Sequence, residues 1–427
     1  MKDACRGEIT EEMKKVAEIE EISPEVLRRR IASGRVIIPK NIIREIEPIG
    51  IGEGLKVKVN ANVGTSPDYV DLEEELRKAL VAVKYGADTI MDLSIGGDID
   101  LIRRKILQSV NVPVGTVPIY QAAMEATKKG QDIVDMNSDD IFNAIRKHAA
   151  DGVDFVTVHC ALTLDALKIV KKSDRILRMV SRGGSLLAAW MIHNEKENPL
   201  YAEFDYLLEI AKEYDLTLSI GDALRPGSLA DASDIPQMLE LLVAADLVRK
   251  ARNNHVQVMV EGPGHLPLDQ IEANVKLEKA VCDGAPYYLL GPLVTDIAAG
   301  YDHIAAAIGG AVAAWAGADL LCYVTPGEHL CLPDVEDVRE GVIAAKIAAH
   351  AADVARGFGM KRDEEMSEAR RRFDWEKQIA LSLDPEKARE MRSRKPPILD
   401  PKTCSMCSQL CAVKLASKYL SKLEDDR

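Results

Sequence analysis

The sequence predicts an α/β fold: a (β/α)8 TIM-type barrel with a small N-terminal appendage and a helical C-terminal region. Two observations predict the barrel. Short apolar runs rich in β-branched residues alternate with amphipathic helical stretches over roughly 270 residues. A parallel sheet of that length favours a closed barrel over an open sheet. An open doubly wound sheet is the alternative. No Gly-x-Gly-x-x-Gly follows an early strand, which weakens the dinucleotide-binding version of that fold.

Nine segments carry the strand pattern, one more than such a barrel holds, so one of them must be an extra strand or a wrong assignment. The predicted strands are 57–63, 89–93, 112–117, 155–159, 177–180, 216–220, 256–260, 287–290 and 320–324. Helical periodicity fills the intervals, for example at 73–85, 139–150, 203–214 and 232–252. The uncharged run 304–318 is too short for a membrane span and rich in Ala and Gly, which predicts a buried helix.

Charged helical segments flank the barrel on both sides. We expect residues 1–54 to form the appendage, with Ser23 as an N-cap, Pro24 at the first helical position and a short extended piece at 36–39. The barrel is expected over 55–358 and the helical C-terminal region over 359–427. In that region we predict a helix break at 382–387, a linker at 394–397 and a last helix at 412–423.

Composition narrows the class of protein. The 427-residue chain has a formal net charge of −13, which argues against a nucleic-acid footprint. No secretory signal or membrane span is visible, and five of the eight cysteines are scattered without disulfide-framework spacing. We therefore expect reduced thiols in a cytoplasmic protein.

The other three cysteines form one short motif near the C-terminus. Cys404, Cys407 and Cys411 have the pattern C-x2-C-x3-C. Three thiols are one ligand short of a structural zinc site or a four-cysteine iron–sulfur cluster. A cluster with one open iron binds S-adenosylmethionine and starts radical chemistry. A zinc knuckle completed by a distant residue, and a chance cluster in a tail, are the alternatives.

Polar side chains follow nearly every predicted strand. The residues at these strand ends are Asn60, Asn62, Asp92, Ser94, Tyr120, His159, Ser181, Arg182, Asp222, Arg225, Glu261, His265, Tyr288, Asp296, Glu328 and His329. A single histidine at a strand end is usually structural, and Gly-Gly after a strand is usually a turn. In a parallel barrel, however, these ends meet at one face, and a structural barrel has no need of so many polar groups there. This pattern predicts an active site.

Residue type indicates what each part of this face would bind. Ser181, Arg182 and Gly183 offer a hydroxyl, a guanidinium and backbone N–H groups, a set suited to a phosphate ester, and Arg225 adds a second charge. Hydrogen bonds to a polar heterocycle or sugar would come from Asn62, Tyr120, Asp222 and Glu261. Neutral His265 and His329 are able to share one divalent ion, although two histidines alone are a weak metal signal.

Taken together, the sequence motifs of this chain resemble those of the phosphomethylpyrimidine synthase family, which are radical S-adenosylmethionine enzymes of thiamine biosynthesis. The resemblance covers nearly the whole chain. It rests on KVNANVGTS (58–66), MDLS (91–94), PVGTVPIY (113–120), VSRGGS (180–185), GDALRPG (221–227), EGPGH (261–265), LGPLVTDI (290–297), CYVTP (322–326) and CSMC (404–407).

The resemblance implies a (β/α)8 barrel with a C-terminal [4Fe–4S] loop. It also implies a homodimer in which one subunit's loop serves its partner's barrel. The implied reaction converts 5-aminoimidazole ribonucleotide (AIR) to 4-amino-5-hydroxymethyl-2-methylpyrimidine phosphate (HMP-P). An electron from an external donor, passed through the cluster, would cleave S-adenosylmethionine, and the 5′-deoxyadenosyl radical would take hydrogen from AIR.

The family's functional positions carry over residue by residue. The implied substrate contacts are Asn62, Met91, Tyr120, His159, Ser181, Arg182, Gly183, Asp222, Ala223, Leu224, Arg225, Glu261 and Tyr288. The implied ligands of a divalent metal, usually zinc, are His265 and His329. The implied cluster ligands are Cys404, Cys407 and Cys411. Cys322 is a candidate for quenching the final radical only because of its position.

Two departures keep the product open. The gap before Cys411 is three residues where many members have four, as in short-chain members of the family, and Ala223 stands where glycine is common. A close paralogue, 5-hydroxybenzimidazole synthase, also acts on AIR and makes a precursor of the cobamide lower ligand. The alternative from another class is a non-catalytic binding protein whose tail holds structural zinc.

Overall fold

The computed structural model describes residues 1–424 of the chain. It divides into two compact units, of which the first is Met1–Arg356 and the second begins at Gly357. Among the described residues, no helix combines the length and the apolar character needed to cross a membrane.

The first unit contains the predicted (β/α)8 barrel. A small antiparallel sheet precedes it, made of β1 (Val36–Ile37) and β2 (Ile51–Gly52). The barrel strands are β3 (Lys58–Val63), β4 (Thr89–Asp92), β5 (Val114–Thr116), β6 (Phe155–Val158), β7 (Thr217–Ile220), β8 (Val258–Gly262), β9 (Tyr287–Leu290) and β10 (Leu320–Cys322). They close in the order β10-β3-β4-β5-β6-β7-β8-β9, and every neighbouring pair is parallel. The predicted fold class is confirmed.

Helices surround the barrel and precede it. Those of the first unit are α1 (Lys2–Cys5), α2 (Glu11–Ile19), α3 (Pro24–Ala32), α4 (Leu72–Lys84), α5 (Ile99–Ser109), α6 (Pro118–Lys128), α7 (Ser138–Asp151), α8 (Leu164–Lys172), α9 (Arg182–Asn194), α10 (Pro199–Ala202), α11 (Phe204–Tyr214), α12 (Ile235–Asn253), α13 (Ile271–Val281), α14 (Asp302–Ala316) and α15 (Val335–Ala355). Several of the helices after strands begin at a capping side chain: Asp71, Asp98 and Asp234 each accept a backbone N–H of the first turn. These caps fix where each loop at the barrel mouth ends.

Residues 1–54 pack against the barrel within the same compact unit. The Nζ atom of Lys58 donates to Glu20 at 2.8 Å, and the backbone N–H of Lys56 donates to the same carboxylate at 2.9 Å. Asn41 is fully buried and donates to two carbonyls near the start of β6. The N-terminal segment therefore contacts the end of the barrel at which the strands begin.

The fifth of the nine predicted strands, 177–180, is wrong. These residues form a loop between α8 and α9, because side chains elsewhere bind the backbone groups that a strand would need. The Asp231 carboxylate accepts the N–H groups of Ile176 and Leu177 at 2.7 and 2.8 Å. Buried Arg175 forms two hydrogen bonds of 2.7 Å with Asp234, the N-cap of α12. The barrel closes with the other eight predicted strands.

The prediction of a buried helix over 304–318 is only half right. The residues of α14 that face the barrel and α15 are small, and a Cβ atom built on Gly309 would lie 2.0 Å from the Pro292 carbonyl oxygen. The large apolar residues lie on the other face, where Ile304, Ile308 and Trp315 are 49, 49 and 53% exposed. The closely packed face of α14 has room only for Ala and Gly, and the large apolar side chains lie at the surface.

The second unit is helical, as the sequence predicts. It contains α16 (Met360–Arg372), α17 (Trp375–Leu381), α18 (Pro385–Arg394) and α19 (Ala412–Glu424). Pro385 occupies the first position of α18 after the Asp384 N-cap, which accounts for the predicted break in this region. The cysteine loop lies between α18 and α19.

Candidate active site

A cavity of about 390 Å³ lies at the end of the barrel where the strands finish. It brings together most residues that the sequence predicted to bind substrate or metal. Those that line it are Asn62, Met91, Tyr120, His159, Ser181, Arg182, Asp222, Arg225, Glu261, Tyr288, His265 and His329. Gly183, Ala223 and Leu224 do not line it, and the side chains of Ala223 and Leu224 are fully buried behind it.

One wall is built around the start of α9. The Ser181 hydroxyl accepts the N–H of Gly184 at 3.2 Å and lies 2.9 Å from Nε2 of His159. A Cβ atom on Gly183 would lie 2.3 Å from the His159 ring, and one on Gly184 would lie 2.6 Å from Cβ of Ala223. Both glycines are therefore required by close packing. The N-terminus of a helix, with Arg182 beside it, suits an anionic group such as a phosphate.

Three charged groups define the adjoining wall. Nη1 of Arg225 donates to Asp222 at 2.9 Å, while Glu261 accepts hydroxyl hydrogens from Thr157 and Ser219, both at 2.6 Å. Burial raises the pKa of Asp222 to about 7, and the charge of Glu261 raises it further while Arg225 opposes the shift. Burial also raises the pKa of Glu261. Asp222 is therefore near the point at which it exchanges a proton at neutral pH.

The ends of β3, β9 and β10 supply a neutral polar surface. Nδ2 of Asn60 donates to the Tyr288 hydroxyl at 2.8 Å, and Nδ2 of Asn62 lies 3.1 Å from Sγ of Cys322. Burial raises the pKa of the Cys322 thiol to about 11. The thiol is therefore protonated at neutral pH, and Cys322 lines the cavity.

His265 and His329 meet at the rim of the cavity. Their ring centroids are 5.4 Å apart, and a carboxylate lies against Nδ1 of each: Asp296 at 2.8 Å and Asp302 at 3.1 Å. Carboxylates in this position orient histidines that ligate metals through the other ring nitrogen. Burial lowers the pKa of His265, which favours the neutral form that a ligand needs. Across the described part of the chain, no three His, Cys, Asp or Glu side chains converge on one metal position.

A second cavity of about 570 Å³ adjoins the first. The two share wall residues, which are Asn62, Leu93, Arg182, Glu328 and His329. The mouth of the barrel therefore has space for two molecules side by side.

The cysteine loop of the second unit is held at both of its ends. Nε1 of Trp375 donates to the Lys402 carbonyl at 2.9 Å, and Lys414 pairs with Asp400. Cys404, Cys407 and Cys411 are free thiols. Backbone N–H groups of Cys407 and Met406 lower the pKa of Cys404, which favours the thiolate that binds metals.

Sequence reasoning missed several residues of the site. Thr157 donates a hydrogen bond to Glu261 and lines the cavity. It lies in β6 two residues before His159, and this spacing puts both side chains on the same face of the strand, which was the available signal. Asp302 supports His329 from the first turn of α14, and no pattern in the sequence indicates that contact.

The sequence profile of the radical SAM ThiC family matches residues 1–418. The chain belongs to this family. Its name implies S-adenosylmethionine and an iron–sulfur cluster, and the family is one of enzymes.

Relatives in the radical SAM ThiC family are similar over nearly their full length. Phosphomethylpyrimidine synthase of Methanopyrus kandleri is 57% identical over 424 residues, 98% of this chain and 99% of its own. That of Thermodesulfovibrio yellowstonii is 58% identical over 417 residues, 97% and 98% of the two chains. That of Archaeoglobus fulgidus is 56% identical over 427 residues, 99% of each chain.

Solved structures are more distant. A dihydropteroate synthase from Coxiella burnetii covers 70% of this chain and 94% of its own, at 14% identity and a TM-score of 0.39. That likeness is too weak to inform the site.

The buried imidazole of His159 makes the fold sensitive to acid. Burial, and secondly the charge of Arg225, lowers its pKa to about 3, so the unfolded chain binds a proton there below pH 6.5 while the folded chain does not. We expect this group to remove about 1.4 kcal/mol of unfolding free energy per pH unit as the pH falls from about 6 towards 3. Urea unfolding of the wild type and His159→Asn at a series of pH values measures it. An unchanged slope in the variant would contradict this assignment.

Proposed function

We propose that this member of the radical SAM ThiC family is a phosphomethylpyrimidine synthase that converts AIR to HMP-P. The single observation that carries the proposal is the barrel-mouth cavity, which is lined both by a helix N-terminus with an arginine and by buried carboxyl groups. Relatives at 56 to 58% identity bear the name of this activity. The alternative of a non-catalytic zinc-binding protein does not fit membership of an enzyme family.

Two parts of the cavity lining match the two parts of AIR. The phosphate would bind the N–H groups at the start of α9, with Ser181, Arg182 and Gly183, because the first turn of this helix contains an arginine and no acidic residue. The imidazole and ribose would meet Asn62, Tyr120, His159, Asp222, Glu261 and Tyr288. Backbone groups of Ala223 and Leu224 hold the turn that carries Asp222 and Arg225.

The cysteine loop fits an iron–sulfur cluster by its chemistry. Three free thiols lie within eight residues, and Cys404 already favours its thiolate. We propose that Cys404, Cys407 and Cys411 hold a [4Fe–4S] cluster. When bound, the cluster supplies the electron that cleaves S-adenosylmethionine. The second cavity is large enough to bind that cosubstrate beside AIR.

We also propose a divalent ion, Zn²⁺, at His265 and His329. Both imidazoles are held by carboxylates at Nδ1, and this leaves Nε2 of each ring for a metal. The ion would fix the loops after β8 and β10 relative to each other.

Removing the carboxylate that orients one histidine should weaken the binding of the metal. We expect Asp296→Asn to raise the Kd for Zn²⁺ about 10- to 100-fold, because the amide does not hold the His265 ring as the carboxylate does. Equilibrium dialysis against a zinc indicator measures the Kd. His193→Ala, at an exposed position of α9, is the control and should leave it unchanged. Equal zinc affinity in Asp296→Asn would rule out the site.

The quaternary arrangement is a further part of the proposal. We propose a homodimer, since α14 exposes Ile304, Ile308 and Trp315 together on one face. One subunit's cysteine loop would serve its partner's barrel, and an external donor would supply the electron.

We propose the domain boundaries 1–54, 55–358 and 359–427. We also propose that the enzyme is cytoplasmic, because its eight free thiols stay reduced there.

Identification of the product tests the function. Anaerobically reconstituted protein is given reductant, S-adenosylmethionine and AIR, and the products are analysed by mass spectrometry. We expect HMP-P together with 5′-deoxyadenosine. Formation of 5-hydroxybenzimidazole would instead identify the enzyme of cobamide lower-ligand synthesis. The names of the relatives compared above do not support that activity. Absence of both heterocycles from fully reconstituted protein would end the proposal.

A further inference from the structure

A buried glutamate that no assigned role uses lies directly behind the active-site wall. Glu240 is in the second turn of α12 and is 5% exposed. Its Oε2 accepts the backbone N–H of Leu224 at 2.7 Å, within the turn that carries Asp222 and Arg225. Its Oε1 is buried and has no hydrogen-bond partner among the residues that the structure describes. A buried polar atom of this kind usually has a water or another partner.

A small inner cavity provides the place for that partner. It measures about 30 Å³, and its polar lining consists of Asp222, Arg225, Gln237, Glu240, Glu261 and Tyr287. This volume and lining are sufficient for one water molecule with several hydrogen bonds. Asp222, Arg225 and Glu261 also line the substrate cavity, so they form the partition between the two spaces.

We propose that Glu240 and one water molecule in the inner cavity form a proton relay to Asp222, with Glu240 setting the protonation state in which Asp222 meets the ribonucleotide. Glu240 is a positioning residue, because it acts through Asp222. The inference rests on the proposed function, since it assigns a role during AIR conversion.

The relay balances without a co-reactant. The proton on Oε1 of Glu240 passes to the water as the water gives one of its own protons to Asp222. One O–H bond forms for each that breaks, and Glu240 is left as a carboxylate. The N–H of Leu224 at Oε2 stabilises that carboxylate, and the reverse transfer restores the acid.

The electrostatic surroundings are consistent with both forms of Glu240. Burial raises its pKa to about 8, and its backbone hydrogen bonds oppose the shift. The titratable groups that face it are Asp222, Arg225, Glu261 and Tyr287 across the inner cavity and Arg175 from the loop before α9. At neutral pH Glu240 is therefore mostly a neutral acid with a proton to give, and it loses this proton above about pH 8.

Glu240→Gln tests the relay, because the amide oxygen still accepts the Leu224 N–H while the acidic proton is gone. We expect kcat for HMP-P formation to fall about 10- to 100-fold, with KM changed less than about threefold. In the wild type we expect kcat to decline above about pH 8, where Glu240 loses its proton, and this decline should disappear in Glu240→Gln. The wild type should show a carboxylic-acid band in the infrared difference spectrum between AIR-bound and free protein. Glu240→Gln should lack this band.

Glu278→Gln is the matched control. Glu278 is also fully buried, and neither of its carboxylate oxygens has a hydrogen-bond partner among the described residues, although Lys279 lies 3.8 Å from Oε2. Burial raises its pKa to about 8, but it does not line the inner cavity. It should keep the wild-type pH profile and the AIR-sensitive band. The relay is overturned if the wild type makes HMP-P and Glu240→Gln keeps both the decline of kcat above about pH 8 and the AIR-sensitive carboxylic-acid band. Wild-type protein that makes no HMP-P would instead overturn the proposed function.

If Glu240→Gln does not fold, Glu240→Asp decides, since it retains a carboxylic acid on α12. The relay predicts that an AIR-sensitive acid band and the decline above about pH 8 persist in this variant. Loss of both from folded Glu240→Asp protein that still binds AIR would overturn the relay.

Discussion

Cys407→Ala is expected to abolish cleavage of S-adenosylmethionine, lowering 5′-deoxyadenosine formation to the background of protein without a cluster. With one of three thiols removed, the loop no longer supplies the three ligands that the proposed [4Fe–4S] cluster needs. In residues 1–424, no group of three His, Cys, Asp or Glu side chains converges on one metal position to replace it. Iron content, the visible absorption of the reconstituted protein and 5′-deoxyadenosine yield measure the effect.

Cys5→Ser is the control for a lost thiol, since Cys5 is an exposed free cysteine at the end of α1. It should keep the iron content and yield of the wild type. AIR affinity provides the second control, because Cys407→Ala leaves the barrel unchanged and should bind AIR normally. A Cys407→Ala protein that still forms 5′-deoxyadenosine at the wild-type rate would remove the cysteine loop from the mechanism.

Arg182→Met is expected to raise the Kd for AIR about 10- to 100-fold, the effect of losing one or two charge-assisted hydrogen bonds to a phosphate. Arg182 begins α9 and lies over the Tyr120 ring, with the guanidinium carbon 5.2 Å from the ring centroid. Methionine keeps much of the apolar stem and removes the charge. Isothermal titration with AIR, in the absence of S-adenosylmethionine, measures the change.

The riboside that lacks the phosphate separates charge from shape. It should bind Arg182→Met and the wild type within about twofold, because the guanidinium has no phosphate to bind. Arg178→Met is the matched variant: Arg178 lies four residues earlier, donates to carbonyls of α8 and does not line the cavity. Equal weakening of AIR and riboside, or an equal effect of Arg178→Met, would place the phosphate elsewhere.

The barrel and most of its mouth were predictable because a parallel strand has two local signals. A short β-branched run marks the strand, and the polar residue that follows marks its carboxyl end. Asn62, His159 and Glu261 were found in this way and do line one cavity. The same signal failed at 177–180, where the apolar run is real but Asp231 and Arg175 fix the backbone as a loop. Leu177 and Val180 line the cavity as loop residues.

Residues that act from a neighbouring helix were not predictable. Asp302 and Glu240 lie in α14 and α12, where a single acidic residue in a helix is usually exposed. Their importance follows from what they contact across the fold, which the sequence does not encode locally. Exposure of the large side chains on α14 was missed for the same reason, since hydropathy does not say which face of a helix is covered.

The most direct test of the central claim follows hydrogen from AIR with a deuterated ribose. Reconstituted wild-type protein is incubated with this substrate, reductant and unlabelled S-adenosylmethionine, and both products are examined by mass spectrometry. We predict that 5′-deoxyadenosine gains deuterium and that HMP-P appears in the same reaction. Unlabelled 5′-deoxyadenosine with no HMP-P would show cleavage uncoupled from AIR, and it would contradict the assignment of the barrel mouth as the site where AIR reacts.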